Sequence, residues 1–233
     1  MSGAIAVFVK TPGLSPVKTR LAVKLGQQNA EAFHLASSGS VASVVQSLSK
    51  QDNVDSYYAV AEQAALNHSY WQDLPCIWQG EGGLGERMAH IYQTLLDKHD
   101  YVILVGADIP QMTRKQLQQA STWLLHNEQA RLAFAPSTDG GFWLFGGNRE
   151  IPQSIWTDVI YSQANTGAEF LNKIEKLGDL KVLDILSDVD EPDDLIQLQH
   201  DLNNLLTPTV EQQELGCFID KLLINVLNKK YHA

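Results

Sequence analysis

Acidic side chains that follow apolar runs are the residues of this sequence best suited to chemistry. Asp108 directly follows the apolar run YVILVGA, where a carboxylate is costly unless it meets solvent, a hydrogen-bond donor or a metal ion. Asp190 follows the run LKVLDIL and could complete a metal site opposite Asp108. Hard divalent cations prefer such carboxylate oxygens. The alternative for Asp108 is a helix N-cap, but Thr113 is better placed to cap that helix, so we favour the metal role.

Basic residues bracket a loop rich in glycine and proline near the N-terminus, in the segment KTPGLSPVKTRL. Lys10, Lys18 and Arg20 surround this loop, and a helical pattern follows it. Backbone N–H groups, the helix dipole and cationic side chains can together bind phosphate groups. The segment lacks the G-x-x-x-x-G-K-[ST] spacing of a P-loop. It therefore indicates a different kind of phosphate site, with a solvated basic turn as the alternative.

Two further segments combine glycines with polar residues. In WQGEGGLGERM, Gly80, Gly82 and Gly85 have the G-x-G-x-x-G spacing of dinucleotide sites, with Asp108 as the later acid. These glycines follow the third predicted strand, whereas the basic loop follows the first, so a Rossmann oxidoreductase is the weakest hypothesis. In PSTDGGFWLFG, Asp139 lies on a turn from which its side chain can project into a cleft. An Asp-Gly turn without function is the alternative there.

The elements that must position these residues alternate between apolar runs and helical patterns. We predict strands over residues 4–10, 55–61, 74–79, 101–108, 130–137 and 180–186. Helical patterns cover residues 17–50, 86–98, 114–127, 166–178 and 187–206, and the tail 208–233 is amphipathic. This alternation is typical of an α/β protein with a mainly parallel sheet. Ligands bind at the carboxyl ends of such strands, where all the segments above are expected to meet.

The charge balance of the 233-residue chain is acidic, with 17 Lys and Arg against 27 Asp and Glu and a formal net charge of −10. This balance argues against nucleic acid and anionic membrane surfaces as partners. The two cysteines and seven histidines show no metal-ligand spacing, which argues against a zinc site. The apolar runs are too short for a signal peptide or a membrane span. We therefore expect a cytoplasmic protein without a membrane-spanning segment.

Five ordered segments resemble a known family: VKTPGLSPVKTRLA, QGEGGLGERM, VGADIPQMT, PSTDGGFWLFG and DVDEPDDL. They resemble the bacterial glycosyltransferase-A-like family labelled radical-SAM/selenodomain-associated transferase, which is related to 2-phospholactate and molybdenum-cofactor guanylyltransferases. The resemblance covers residues 4–205. It implies a three-layer α/β/α nucleotide-diphospho-sugar transferase (GT-A-like) fold over residues 1–206, followed by a helical extension over residues 207–233. Two features depart from the expected patterns: Ile109 stands where the family often has Ser or Cys, and the first loop lacks the G-x-G-T-R pattern of typical nucleotidyltransferases.

The resemblance also implies roles for individual residues. The donor nucleotide would contact six of them, with phosphates near the first loop and the base near the glycine segment: Lys10, Lys18, Arg20, Gln79, Gly83 and Gly85. Mg²⁺ or Mn²⁺ would bind Asp108 and Asp190, and the acceptor or sugar would contact Gly140 and Gly141. Asp139 would act as general base for a hydroxyl acceptor.

Four functions follow from these features, in decreasing order of support. The first is a metal-dependent nucleotide-sugar glycosyltransferase with a small-molecule acceptor, and the second is a nucleotidyltransferase that releases pyrophosphate. The third is a non-catalytic nucleotide-binding protein that uses its amphipathic tail for interaction, and the fourth is the oxidoreductase. For the tail we favour a helix packed on its own core, and dimerisation stays open.

Overall fold

A seven-stranded sheet forms the centre of the molecule. The structure is a computed structural model that describes residues 2–125 and 128–231, except for the side chains of residues 49–52 and 225–231. The strands are β1 (Gly3–Val9), β2 (Val54–Val60), β3 (Cys76–Trp78), β4 (Tyr101–Gly106), β5 (Arg131–Pro136), β6 (Phe142–Gly147) and β7 (Asp179–Val182). Their order is β3-β2-β1-β4-β6-β5-β7, and only β6 runs antiparallel to its neighbours. The prediction of a mainly parallel sheet is confirmed.

Helices cover both faces of this sheet. They are α1 (Thr19–Leu25), α2 (Gln27–Asp52), α3 (Leu84–Leu96), α4 (Arg114–Leu124), α5 (Gln153–Thr157), α6 (Thr166–Ile174), α7 (Asp194–Asn203) and α8 (Val210–Tyr231). On one face, Ile5 and Val7 of β1 pack with apolar residues of α2 and α4. On the other, Ala4 and Ala6 pack with residues of α3, α5 and α6. Alternate residues of one buried strand thus serve two cores, which gives the three layers.

A third apolar cluster joins α1 and α2 to the two C-terminal helices. Leu21, Leu198, Leu215 and Ile219 are all fully buried in it. Helix α8 packs on α2 and α7, as favoured for the tail, while residues 232–233 and the side chains of 225–231 lie outside the described residues. Among the described residues, no helix combines the length and apolar character that crossing a membrane requires.

The structure differs from the predicted elements in several places. In the pattern over 187–206, helix α7 begins only at Asp194, after Pro192, because a proline disfavours a helical conformation in the residue before it. The helical pattern over 17–50 is divided at Gly26, whose φ of 84° lies in the left-handed region that glycine tolerates. The segment FWLFGG forms β6, the second strand of a hairpin with β5. Strand β7 ends at Val182, short of residue 186, and the neighbouring β5 is irregular at Pro136, which has no N–H to pair with.

Candidate active site

The predicted site segments meet at the carboxyl edge of the sheet. The basic loop leaves β1, Asp108 follows β4, and Asp139 lies in the turn between β5 and β6. The segment that carries Asp188 and Asp190 runs beside the end of β5, because Thr138 N donates to the Leu186 carbonyl at 3.0 Å. Residues far apart in sequence therefore line one edge, as open α/β sheets require of their ligand sites.

Lys18 is the centre of this cluster. Its ammonium lies 3.0 Å from Asp108 Oδ1 and 3.1 Å from Asp190 Oδ1, so it bridges the two carboxylates predicted as metal ligands. The Lys18 side chain is only 4% exposed, whereas the side chains of Asp108 and Asp190 are 44% and 43% exposed. Arg20 lies on the outer side, with a guanidinium nitrogen 3.6 Å from Asp190 Oδ2. The structure thus brings Asp108 and Asp190 together, with a lysine between them.

The ion pair between Lys18 and Asp108 keeps both of these groups charged. Burial disfavours the ammonium, but Asp108 and Asp190 outweigh this effect and hold the pKa of Lys18 above its ordinary value. Burial alone would raise the pKa of Asp108, yet the adjacent Lys18 holds it below the ordinary value. Lys18 and Asp108 therefore form an ion pair at neutral pH, and the same ammonium also contacts Asp190.

The backbone of Lys18 is held in an unusual conformation. Lys18 precedes α1 and has φ 44° and ψ 45°, in the left-handed region that residues other than glycine adopt at a cost. The buried Leu21 and Leu25 anchor α1 in the third cluster, and Val17 is buried on the other side of Lys18. Packing on both sides therefore directs the lysine toward the carboxylates.

The Asp190 segment is fixed by the first turn of α7. Asp194 Oδ2 accepts hydrogen bonds from the backbone N–H groups of Asp190 and Glu191 at 2.9 and 2.7 Å. Farther up the segment, Gln111 Nε2 donates to the Ser187 carbonyl at 2.6 Å. These contacts tie the segment both to α7 and to the loop after β4, so the distance between Asp108 and Asp190 is set by backbone anchors.

The loop after Asp108 is supported from below by the C-terminal helix. Gln212 of α8 is 2% exposed, and its Nε2 donates to the carbonyls of Pro110 and Met112 at 2.7 and 3.0 Å. Thr113 caps α4 by accepting from Gln116 N, so it is the cap residue, as predicted, and Asp108 is free for another role. Nothing in the spacing of the sequence links Gln212 to Pro110, 102 residues earlier.

Asp139 has one oxygen committed to its own turn. Its Oδ1 accepts from Ser137 Oγ at 2.6 Å and from Gly141 N at 2.8 Å, whereas Oδ2 has no hydrogen bond among the described residues. Gly140 has a φ of 89°, and a Cβ there would collide with the Ala164 carbonyl. Gly140 is thus explained by close packing, and the predicted contact of Gly140 and Gly141 with an acceptor or sugar stays a prediction.

Asp188 is a site residue that the sequence reasoning missed. It lies in the segment DVDEPDDL, two residues before Asp190, and is half-buried. Burial, together with the nearby carboxylates of Asp139 and Asp190, raises the pKa of Asp188 to about 6. Its position after an irregular strand end gave no sign of this burial.

Gln79 lies at the predicted edge, but its side chain is directed into the protein. It is 4% exposed, and its Nε2 donates to the carbonyls of Val9 and Ala59 at 3.2 and 2.8 Å. Its donors therefore join the ends of β1 and β2. The predicted contact with a nucleobase stays a prediction.

The glycine spacing that resembles a dinucleotide fingerprint has a structural explanation. Gly80 and Gly82 have φ values of 85° and 89°, which place both in the left-handed region of a tight turn. Gly83 is the N-cap of α3, and its N–H donates to Glu86 Oε2 at 3.0 Å. Gly85 is buried against α5, where a Cβ would collide with the Trp156 carbonyl. Whether a nucleotide contacts Gly83 or Gly85 stays a prediction.

Two cationic groups of the first loop face solvent. Lys10 is exposed and forms no ion pair among the described residues, and the Arg20 side chain is 70% exposed. Beneath them, buried His34 bonds to the Lys10 carbonyl through Nε2 at 2.8 Å, and burial lowers its pKa below the ordinary value. A neutral His34 therefore supports the loop, a role that the spacing of the seven histidines did not indicate. His126 and His232 lie outside the described residues.

The donor atoms of this edge can be compared with what a divalent cation needs. Across the described part of the chain, no group of three or more His, Cys, Asp or Glu side chains is arranged to hold a metal ion. Mg²⁺ and Mn²⁺, however, bind through one or two carboxylates and complete their coordination with water and phosphate oxygens. The half-exposed Asp108 and Asp190, which already face one shared cation, fit that requirement.

Comparison with known proteins supports the assignment of the fold. The sequence model of the DUF2064 family, described as an uncharacterised protein conserved in bacteria, matches residues 41–163. No curated protein sequence matches the chain. A solved structure from Desulfovibrio desulfuricans G20, described as a proposed nucleotide-diphospho-sugar transferase, is 23% identical, with a TM-score of 0.79. That alignment covers 95% of this chain and 99% of the other.

Two more distant structures share the architecture. A nucleotidyl transferase from Methanothermobacter is 9% identical, with a TM-score of 0.56 over 88% of this chain and 99% of the other. A CMP:2-keto-3-deoxy-manno-octonic acid synthetase in complex with CTP is 10% identical, with a TM-score of 0.51 over 85% and 97% of the two chains. At these identities the likeness concerns the fold alone, which is the GT-A-like fold that the sequence segments predicted.

Proposed function

We propose that this chain, which belongs to the DUF2064 family, is a metal-dependent transferase with a nucleotide-activated donor. The reaction that we favour is glycosyl transfer from a nucleotide sugar to a small-molecule acceptor. The observation that carries this proposal is the cluster in which Lys18 and Arg20 meet Asp108 and Asp190 at the carboxyl edge of the sheet. Its placement in the narrower radical-SAM/selenodomain-associated group rests on the sequence resemblance.

The cations of the first loop are suited to the phosphates of the donor. Lys10 and Arg20 are exposed at the edge, and their charges stand out against an overall net charge of −10. A local positive surface of this kind attracts and orients an anionic ligand in an acidic protein. Arg20 can bind two phosphate oxygens at once, because its guanidinium presents a planar pair of donors.

Asp108 and Asp190 are the residues that would hold the metal. A divalent cation bound there supplies charge neutralisation for the leaving phosphate. Residues of the chain supply the other two roles, orientation of the donor and transfer of the acceptor proton. Arg20 and Lys10 hold the diphosphate so that the anomeric carbon faces the acceptor, and Asp139 Oδ2 is the base that receives the hydroxyl proton of the acceptor.

The reaction is a substitution at the anomeric carbon of the donor sugar. The acceptor oxygen bonds to that carbon while the bond from the carbon to the β-phosphate oxygen breaks. The nucleoside diphosphate leaves with the electron pair, and the acceptor proton passes to Asp139. Ser137 Oγ and Gly141 N–H, which bond to Asp139 Oδ1, hold the carboxylate in position for this transfer.

The second candidate is nucleotidyl transfer, in which a phosphorylated acceptor attacks the α-phosphorus and pyrophosphate leaves. The Methanothermobacter structure, a nucleotidyl transferase with the same fold, supports keeping it. This reaction needs no base at Asp139, because a phosphate acceptor is already ionised.

A thermal-shift panel tests the proposal. Nucleoside triphosphates, nucleotide sugars and NAD(P) are each added with and without Mn²⁺. A ligand at 100 times its Kd stabilises by about 2.7 kcal/mol, a rise of roughly 5–10 °C in Tm for a chain of this size. We expect a metal-dependent rise with nucleotide sugars. A rise confined to triphosphates favours nucleotidyl transfer, and a metal-independent rise with NAD(P) contradicts the transferase assignment.

Two variants and a control locate the binding site. Asp108→Asn and Asp190→Asn should each abolish the metal-dependent rise in Tm. Asp193→Asn removes the same charge from an exposed residue of the same segment and should retain it. If both site variants keep the full rise, the metal assignment is wrong.

A further inference from the structure

We infer that Lys18 is the resident cation of the site and that a divalent metal binds by displacing it from Asp108 and Asp190. This inference rests on the proposed function, which places the metal at those two carboxylates. It adds that Lys18 fills the position between these carboxylates with a charge of the chain's own. Metal binding is then an exchange of one cation for another.

The geometry identifies one shared position. A single ammonium nitrogen contacts one oxygen of each carboxylate, at 3.0 and 3.1 Å. A divalent metal held by the same two carboxylates would need the position beside these oxygens that Nζ fills. Two cations cannot share that space, because they would collide and repel each other. Asp108 and Asp190 can therefore hold the lysine or the metal, but not both in this arrangement.

The environment of Lys18 explains why the lysine occupies the position. Its side chain is 4% exposed, and a buried ammonium needs a compensating charge. Asp108 and Asp190 provide that charge, and they in turn would repel each other without it. To displace Lys18, the metal must therefore offset the loss of both ion pairs. It must also offset the removal of the Lys18 ammonium from its buried position between the two acids.

The same arrangement predicts where the displaced lysine binds. Lys18 lies on the basic loop with Arg20, whose guanidinium is already at the outer edge of the cluster. A donor diphosphate beside this loop offers the ammonium new anionic partners. The donor should therefore help the metal to enter, and metal alone should bind weakly.

Mn²⁺ binding to the full chain, measured by electron paramagnetic resonance of the free ion, tests the exchange without any reading of activity. Wild type is compared with Lys18→Met, which removes the competing cation, and with Asp108→Asn, which removes a ligand. Lys24→Met is the matched control, because Lys24 is an exposed lysine of α1, the helix that directly follows Lys18. We expect the Kd of Lys18→Met for Mn²⁺ to fall at least tenfold below that of wild type. The Kd of Lys24→Met should change less than twofold, and Asp108→Asn should lose binding.

Each result decides the matter. If Lys18→Met binds Mn²⁺ as wild type does, or more weakly, the lysine only supports the ligands and the exchange is refuted, while the metal site itself stands. If none of the variants nor wild type binds Mn²⁺, the proposed metal site is wrong and the exchange falls with it. Lys18→Gln provides a second test should the methionine variant not fold, because it keeps a hydrogen-bond donor and removes the charge. It too must bind Mn²⁺ more tightly than wild type.

Discussion

Replacing Gln212 by leucine should weaken the fold at the loop that carries Asp108. The substitution removes both hydrogen bonds from Nε2 and leaves the carbonyls of Pro110 and Met112 buried without their donor. It also removes the bond that Thr209 N donates to Gln212 Oε1 at the start of α8. Each buried bond contributes about 0.5–1.5 kcal/mol, and an unpartnered buried group costs about 1–3 kcal/mol. We therefore expect a loss of about 3 kcal/mol in the free energy of unfolding.

Urea denaturation followed by circular dichroism measures this loss, with Gln213→Leu as the control. Gln213 is the exposed neighbour on the same helix, so its substitution leaves the loop contacts intact. At about 2–4 °C per kcal/mol, the Tm of Gln212→Leu should lie roughly 6–12 °C below that of wild type. If the two leucine variants differ by less than about 0.5 kcal/mol, α8 does not support the loop.

Three other predictions concern single residues, two of them at the site and one inside α2. Because burial raises the pKa of Asp188 to about 6, its proton is bound more tightly in the folded state, and stability falls as the pH rises from 4 to 6. In EDTA at pH 7.5, Asp188→Asn should therefore be more stable than wild type by about 1–2 kcal/mol, after allowance for solvent screening. At pH 4 the difference in stability should be much smaller. Equal urea midpoints of the two proteins at pH 7.5 would contradict this prediction. Gly140→Ala should cost at least about 2 kcal/mol, because Gly140 has a positive φ and its Cβ would collide with Ala164. Gly39→Ala, in open space inside α2, should instead stabilise by about 0.5–1 kcal/mol, and a calorimetric Tm for each alanine variant checks the sign.

The fold could be predicted because buried strands and helices show characteristic patterns of apolar residues in the sequence. Strands β1 and β4 are apolar at nearly every position, since both faces of a parallel sheet are covered. The segments that follow the strands could be placed at one edge of the sheet, because the direction of parallel strands determines which of their ends meet. Asp108 and Asp190 were predicted to face each other on this ground, and they do.

Contacts within the site could not be predicted, because they depend on backbone angles and side-chain directions that spacing does not record. Lys18 reaches both carboxylates from a left-handed conformation that its neighbours impose by packing. Gln79 is polar and follows a strand, as a ligand-binding residue would, yet its amide joins two strand ends. A polar residue at a strand end therefore predicts a place in the molecule, but not the partner of its side chain.

The position of Lys18 changes how the sequence pattern itself is understood. A basic loop after β1 and acids after β4 and β7 look like separate sites, one for phosphate and one for metal. In the structure the cation of the first is bound to the anions of the second, at 3.0 and 3.1 Å. Phosphate would attract Lys18 away from the carboxylates, and metal would attract the carboxylates away from Lys18. Each ligand would then break the ion pairs that oppose the binding of the other. Two ligands linked in this way favour each other's binding, and thermodynamic reciprocity requires the effect to be equal in both directions.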